Sequence, residues 1–214
     1  MFVTFEGIDR SGKTSQAGLL AEALGDEAVL VREPGGTPAA ERIRELVKDP
    51  ERSLSPIAET LLFGAARADL IDQVIAPALA AGKVVISDRY IDSTVAYQGG
   101  ARGLGIDRVE QLNDWIAGGL WPDLTFLLEV DLDAARKRRG EPDRFENEGE
   151  SLQRAVAAAY EELAERHPER YVRIDSLREP HDLVWNGQTF LAVSTLSNSV
   201  LAFSVRRGRP HLAS

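Results

Sequence analysis

Phe2-Val3-Thr4-Phe5-Glu6-Gly7-Ile8-Asp9-Arg10-Ser11-Gly12-Lys13-Thr14 decides the fold class of this chain. The stretch opens as a short, mostly apolar run of the kind that forms a strand buried on both faces of a parallel sheet. Gly7 to Thr14 then fits G-x-x-x-x-G-K-[ST]. In such a loop the backbone N–H groups point at a triphosphate, the lysine neutralises β and γ oxygens, and the threonine hydroxyl reaches magnesium. A helical pattern opens at Lys13, so the partial positive charge of a helix N-terminus falls on the same place. A glycine-rich turn matching by chance would lack this strand before it and this helix after it.

Outward from that loop the same alternation repeats. Short apolar runs occur at Phe2 to Phe5, Ala28 to Val31, Lys83 to Ile86, Leu124 to Val130 and Tyr171 to Ile174. Helical patterns lie between them: Lys13 to Leu24 ending at Gly25, Pro38 to Val47 after Thr37, Pro56 to Ala81 after Ser55, Asp107 to Ala117, and Ser151 to Arg166. Thr37 and Ser55 read as N-caps with proline at the first helical position, and Pro77 is expected to kink the last turn of its helix. About five strands alternating with helices predict an α/β, P-loop NTPase-type, doubly wound parallel sheet flanked by helices, with ligands at the carboxyl ends of the strands.

Composition narrows the function. The chain has 214 residues, with 25 Lys and Arg against 34 Asp and Glu, and a net charge of −9. An acidic balance argues against coating nucleic acid or anionic membranes, which needs basic charge. With no cysteine, disulfides, thiolate nucleophiles and Cys-ligated zinc drop out. No run approaches the roughly 20 apolar residues of a membrane helix, and the N-terminus lacks a signal-peptide pattern, so a cytoplasmic protein is expected.

Two further segments carry chemistry. Lys83 to Tyr90 is an apolar strand ending in Asp88-Arg89-Tyr90. A carboxylate there can order magnesium and its waters, and the arginine can clamp a phosphate. Arg136 to Arg144 holds five basic and two acidic residues, a local +3 with Gly140 and Pro142 to hinge it, and together with its place after the Leu124 to Val130 strand this reads as a mobile phosphate lid near 136–146. Arg32-Glu33-Pro34-Gly35-Gly36-Thr37 and Asp92-Ser93-Thr94-Val95-Ala96-Tyr97-Gln98-Gly99-Gly100 read as loops at strand ends. From these residues alone the reading stops at a magnesium-dependent user of nucleoside triphosphate.

Taken in order, Phe5-Glu6-Gly7, the phosphate loop, Arg32 to Thr37, Asp88-Arg89-Tyr90, Ala96-Tyr97-Gln98-Gly99-Gly100, Trp121-Pro122-Asp123-Leu124 and Asp143-Arg144-Phe145-Glu146 resemble the thymidylate kinase family from Phe2 to about Trp185. The resemblance implies a cytoplasmic homodimer that transfers the γ-phosphoryl group of MgATP to dTMP, giving dTDP and ADP. It implies that the amides of Gly7, Ile8, Asp9, Arg10, Ser11, Gly12, Lys13 and Thr14 hold the donor phosphates. Asp9, Lys13 and Arg89 would act at the transferred group, and Thr14, Asp9, Asp88 and Glu146 would attend the metal. Phe63 would stack on the base, Arg67 and Thr94 would read its polar edge, and Tyr97 would exclude a ribose 2′-hydroxyl. Ser93 and Gln98 complete that wall, and Arg44 is a further contact to the acceptor phosphate. Asp175 precedes the loop expected to cradle adenine. Another P-loop nucleoside or nucleotide kinase, or a nucleotide-dependent switch or binding module, stands as the alternative.

Two features depart from the family pattern. Its members tend to carry either an arginine in the phosphate loop or a basic lid, whereas this chain has both Arg10 and Arg136 to Arg139. The expectation is that lid arginines, Arg136 and Arg139, meet the transition-state charge and that Arg10 is redundant. The chain also divides into a kinase domain, 1–185, and a tail, 186–214. The tail is uncharged from Asn186 to Val205 and then has Arg206, Arg207 and Arg209. Pro180 to Trp185 reads as the start of the closing amphipathic helix, which the tail does not continue.

Overall fold

The computed structural model describes residues 1–137, 149–175, 181–185, 189–194, 199–206 and 209–213, with side chains over 1–135 and 149–175. Five parallel strands form the main sheet: β1 (Phe2–Glu6), β2 (Ala28–Arg32), β3 (Val84–Asp88), β4 (Leu124–Glu129) and β5 (Tyr171–Asp175). Their order is β2-β3-β1-β4-β5, which puts the strand feeding the phosphate loop at the centre. In the inner strands β1, β3 and β4 almost every residue is buried, as continuous apolar runs predict. The edge strands β2 and β5 are half-exposed, because each has a neighbour on one side only.

Side chains alternate across β1. Val3 and Phe5 join Ala17, Leu20, Ile86 and Phe126 in one core. Phe2 joins the opposite one, with Tyr90, Ile91, Leu127 and Tyr160. The period of two puts Thr4 and Glu6 on the Phe2 side, so Glu6 enters a layer of aromatic and helical residues just below the phosphate loop.

Helix α1 (Lys13–Leu24) starts on the loop and stops at Gly25, as read. In α2 (Pro38–Lys48) the Thr37 hydroxyl accepts from the Ala40 amide at 3.1 Å, and in α3 (Pro56–Leu70) Ser55 accepts from Ala58 at 3.2 Å. The helix predicted to run from Pro56 to Ala81 changes gait before Pro77. A π-helical turn, Ile71–Ile75, leads into α4 (Ala76–Ala80). Pro77 has no N–H to offer the preceding turn, and the wider turn lies just upstream of it.

The segment 92–100, read as a loop, is helical. Helix α5 (Ile91–Thr94) runs into a π-helical stretch, Val95–Ala101. Gly99 and Gly100 are weak helix formers, but packing overrides propensity here. A Cβ on Gly100 would lie 2.5 Å from that of Ala159, and one on Gly99 would lie 3.2 Å from the Ile106 Cα. The glycines let this stretch press against α6 (Ile106–Ala117) and α8 (Glu150–Arg166). A short helix, α7 (Leu132–Lys137), precedes the lid region.

The tail corrects the helical reading of Pro180 to Trp185. His181–Trp185 is strand β6, which lies against α1. It pairs antiparallel with β7 (Thr189–Ser194), then β8 (Ser199–Arg206) and β9 (Arg209–Ala213), as a separate four-stranded sheet. Valine, threonine and phenylalanine in β7 and β8 favour strand over helix, and Phe190 faces Phe203 in the register.

Candidate active site

At the end of β1 the chain must turn sharply beneath β4. Gly7 has φ 138°, and a Cβ there would approach the Leu128 carbonyl oxygen to 2.5 Å, so the position admits only glycine. Arg10, with φ 63°, holds a left-handed conformation that side chains rarely adopt. The Lys13 ammonium curls over the loop, donating to the Ile8 carbonyl at 2.7 Å and to Ser11 Oγ at 3.4 Å. Burial, with the Arg89 cation beside it, pushes its pKa down to about 8. The Thr14 hydroxyl donates to Asp88 Oδ2 at 2.5 Å, which joins the phosphate loop to the end of β3.

Beyond Asp88, Arg89 is the second non-glycine residue with a left-handed backbone, φ 73°. Its guanidinium spans the site. Nη2 donates to Asp9 Oδ1 at 2.5 Å, and Nη1 donates to the Gly7 carbonyl at 3.2 Å and Ser93 Oγ at 3.0 Å. The Tyr97 ring lies 5.3 Å away. Asp9 is also gripped by Gln153, whose Nε2 donates to Oδ2 at 2.9 Å and whose Oε1 accepts from the Asp9 amide at 3.3 Å. Burial pushes the Asp9 pKa up, but Arg89 and Lys13 outweigh it and hold the carboxyl below its usual range.

Glu6 sits under this group, fully buried, accepting from the Tyr90 amide at 2.7 Å, Ser93 Oγ at 2.6 Å and Tyr160 Oη at 2.7 Å. Burial, reinforced by the Asp92 carboxylate, raises its pKa to about 7. A carboxyl whose folded pKa lies above its unfolded one contributes stability that is present below about pH 4.5 and lost as pH rises through 7. Glu6→Gln therefore gains stability relative to the parent at pH 8 and matches it near pH 4, read as the difference in Tm across that range. A constant difference at both pH values would contradict this.

A second wall forms the other side of the same cleft. Phe63, Arg67, Thr94, Tyr97 and Gln98 all line it, as do Asp9, Lys13, Thr14, Asp88, Arg89, Ser93 and Arg44. Arg67 is 1% exposed. Its Nε and Nη2 donate to Glu33 Oε2 at 2.9 and 2.6 Å, and Nη2 also reaches the Tyr90 carbonyl at 3.2 Å and Thr94 Oγ1 at 2.9 Å. Nη1 donates to Asn113. Burial raises the Glu33 pKa, and the Arg67 cation works against that rise. Arg44 Nη1 donates to the Pro34 carbonyl at 2.7 Å. Sequence reading missed Asn113, Gln153, Tyr160 and Glu59, which grip the cleft side chains from behind; no motif marks them. It also missed Lys48, one turn after Arg44 on the cleft wall.

Some expected residues fall elsewhere. Arg136 is on α7, but its side chain, Arg139 and Glu146 lie outside the described residues, as does the 176–180 loop after Asp175. Among the described residues no cluster of three or more His, Asp or Glu side chains forms a metal cage. Magnesium needs none: it keeps several waters and takes one or two protein oxygens together with phosphate. The adjacent oxygens of Thr14 and Asp88 fit that demand. Asp9, by contrast, is taken up by Arg89 and Gln153.

A phosphate loop at the carboxyl end of a central parallel strand, facing a second wall of buried cationic and aromatic groups across one cleft, defines a P-loop phosphotransferase architecture. The thymidylate kinase family model matches residues 5–185. The chain belongs to the thymidylate kinase family. It is 43% identical over 192 residues to a thymidylate kinase of Halothermothrix orenii, covering 86% of this chain and 92% of that one. It is 48% identical over 183 residues to that of Pseudomonas fluorescens, covering 82% and 87%. The crystal structure of thymidylate kinase from Ehrlichia chaffeensis superposes with a TM-score of 0.70 at 38% identity, covering 81% of this chain and 91% of that one.

Proposed function

We propose that this chain phosphorylates dTMP with ATP, the phosphate loop holding the donor and the Phe63–Arg67 wall the acceptor. The observation that carries the reading is the Arg89 guanidinium, which bonds Asp9 and Gly7 of the phosphate loop and Ser93 of the acceptor wall at once. An acceptor monophosphate and a donor triphosphate repel each other, and this arginine stands where they meet. The attacking group is a phosphate oxygen, already largely anionic near neutral pH, so no base is needed to free it. Catalysis then rests on alignment and charge neutralisation. Lys13 turns from the loop carbonyl to the donor oxygens, Arg89 and Arg44 hold the acceptor phosphate, and Phe63 and Arg67 fix the base. Thr14 and Asp88 would hold magnesium, which would supply positive charge to neutralise the donor phosphates.

The lid expected near 136–146, most of which lies outside the described residues, would bring Arg136 and Arg139 to the developing charge and Glu146 to the metal, leaving Arg10 redundant. The kinase domain would span 1–185 and the appended segment 186–214, with β6 (His181–Trp185) as the strand on which the segment's sheet is built. No described helix is long and apolar enough to cross a membrane, and the cytoplasm is the proposed location. ADP release from MgATP, measured with a panel of nucleoside monophosphates, tests the reading. Strong stimulation by dTMP is expected. Preference for another monophosphate would favour a different nucleotide kinase, and binding without acceptor-dependent turnover would favour a binding module.

The proposed homodimer has a candidate face. Ile57 and Leu61, four apart on α3, are 62% and 52% exposed, and Trp115 on the neighbouring α6 is 80% exposed. Large apolar side chains grouped this way mark an association surface. The double substitution Leu61→Asp with Trp115→Asp is expected to yield monomers in sedimentation velocity while the parent sediments as a dimer. A parent that sediments as a monomer at micromolar concentration would remove this face from consideration.

A further inference from the structure

Gln98 lines the cleft although it is only 1% exposed, and its amide is not free to turn. Nε2 donates to Glu59 Oε1 at 2.7 Å. Glu59 is fully buried on α3, behind the cleft wall rather than on it. Arg102 donates to the same carboxylate, Nε to Oε1 at 3.1 Å and Nη2 to Oε2 at 3.3 Å. Glu59 Oε1 already accepts from Arg102 Nε, so it meets Gln98 as an acceptor, and the Gln98 atom that faces it is the NH2 group. The amide oxygen is left to face the ligand.

We infer that Glu59 is a specificity-positioning residue: by holding the Gln98 nitrogen it turns the Gln98 oxygen toward the pyrimidine edge, and so selects bases that carry a proton on N3. The inference rests on the acceptor reading given above. Thymine and uracil present N3–H between two carbonyls. Cytosine presents a bare N3, whose lone pair would meet that of the amide oxygen. A free amide would rotate by half a turn and accommodate either base; a locked one discriminates. Arg67, similarly locked by Glu33, is a donor only and suits a carbonyl neighbour. The wall therefore offers a fixed order of donor and acceptor. A site whose polar groups are left unpaired by the wrong ligand rejects it more strongly than a merely tight site does.

The experiment compares kcat/KM for dTMP, dUMP and dCMP in the full-length parent, Glu59→Gln, Gln98→Leu and the double variant. Glu59→Gln supplies both a donor and an acceptor to Gln98 and releases its orientation. The dTMP:dCMP ratio is expected to fall about tenfold or more in Glu59→Gln. The dTMP:dUMP ratio should stay at the parental value, because those two bases share N3–H and differ only at C5. Gln98→Leu should show the same selective loss, and adding Glu59→Gln to it should change the dTMP:dCMP ratio no further. Equal losses on all three substrates would make Glu59 a packing residue and overturn the inference. Retention of the dTMP:dCMP preference by Gln98→Leu would overturn it too, even if Glu59→Gln does not fold. Failure of the parent to phosphorylate dTMP would instead overturn the acceptor reading, and is seen in that arm alone.

Discussion

Lys13→Met lowers dTMP-dependent ADP release by about a thousandfold or more and, at pH 7, raises the Tm of the nucleotide-free protein. The first effect follows from removing the buried cation proposed to meet the donor phosphates, since single electrostatic contacts in such a site are worth ~10²–10³ in rate and the same group would also hold the donor. The second follows from the burial of a charge. The ammonium is buried with Arg89 close by, and its pKa falls from 10.5 to about 8. A base whose pKa is depressed by folding destabilises the folded state at all pH below the lower value, and the penalty fades between pH 8 and 10.5. Methionine fills the same space without charge. The gain in Tm should therefore be largest at pH 7 and shrink toward pH 10. Equal Tm values at pH 7, with activity lost, would mean that the bonds to Ile8 and Ser11 offset the burial of the charge.

Arg89→Lys is expected to be nearly as inactive as Arg89→Ala, each reduced by about a thousandfold. Lysine keeps the charge but not the fork. Asp9, the Gly7 carbonyl and Ser93 are reached by two different nitrogens of one planar group, and a single ammonium cannot reproduce that spread. The loss should appear in kcat more than in the affinity for ATP, since Lys13 and the loop amides remain. In Arg89→Ala, Asp9 loses its main cation, so its pKa should climb, and climb further than in Arg89→Lys, visible by carboxyl NMR. More than a tenth of parental turnover in Arg89→Lys would show that charge alone suffices at this position.

The sequence was most legible where local pattern and tertiary role coincide. The five strands, the phosphate loop and the capped starts of α2 and α3 carry their signals within a few residues of themselves. The stretch Val95–Ala101 did not, because its helical state is imposed by contact with Ala159, distant in the chain, and with Ile106 on the helix that follows, and two glycines disguise it. The same distance hid Gln153, Asn113, Tyr160 and Glu59. Each lies behind a residue that a motif does mark, and nothing in the local sequence of a helix tells which of its buried polar groups will be called on to hold another. The tail misled for a different reason. Pro180 to Trp185 is compatible with either state, and strand pairing with residues further on decides it.

The central place of β1 has a kinetic consequence. Its partners are β3, some eighty residues downstream, and β4, some forty beyond that. A ribosome making 5–20 residues per second would hold Phe2, Val3 and Phe5 without a sheet neighbour for several seconds before β3 has been made, and longer before β4 has. The segment that organises the finished site is thus the one that waits longest for its partners. Pulse-labelled hydrogen exchange on ribosome-bound nascent chains should find the β1 amides unprotected until β3 has been made and, in the finished protein where β1 is paired on both sides, among the slowest to exchange.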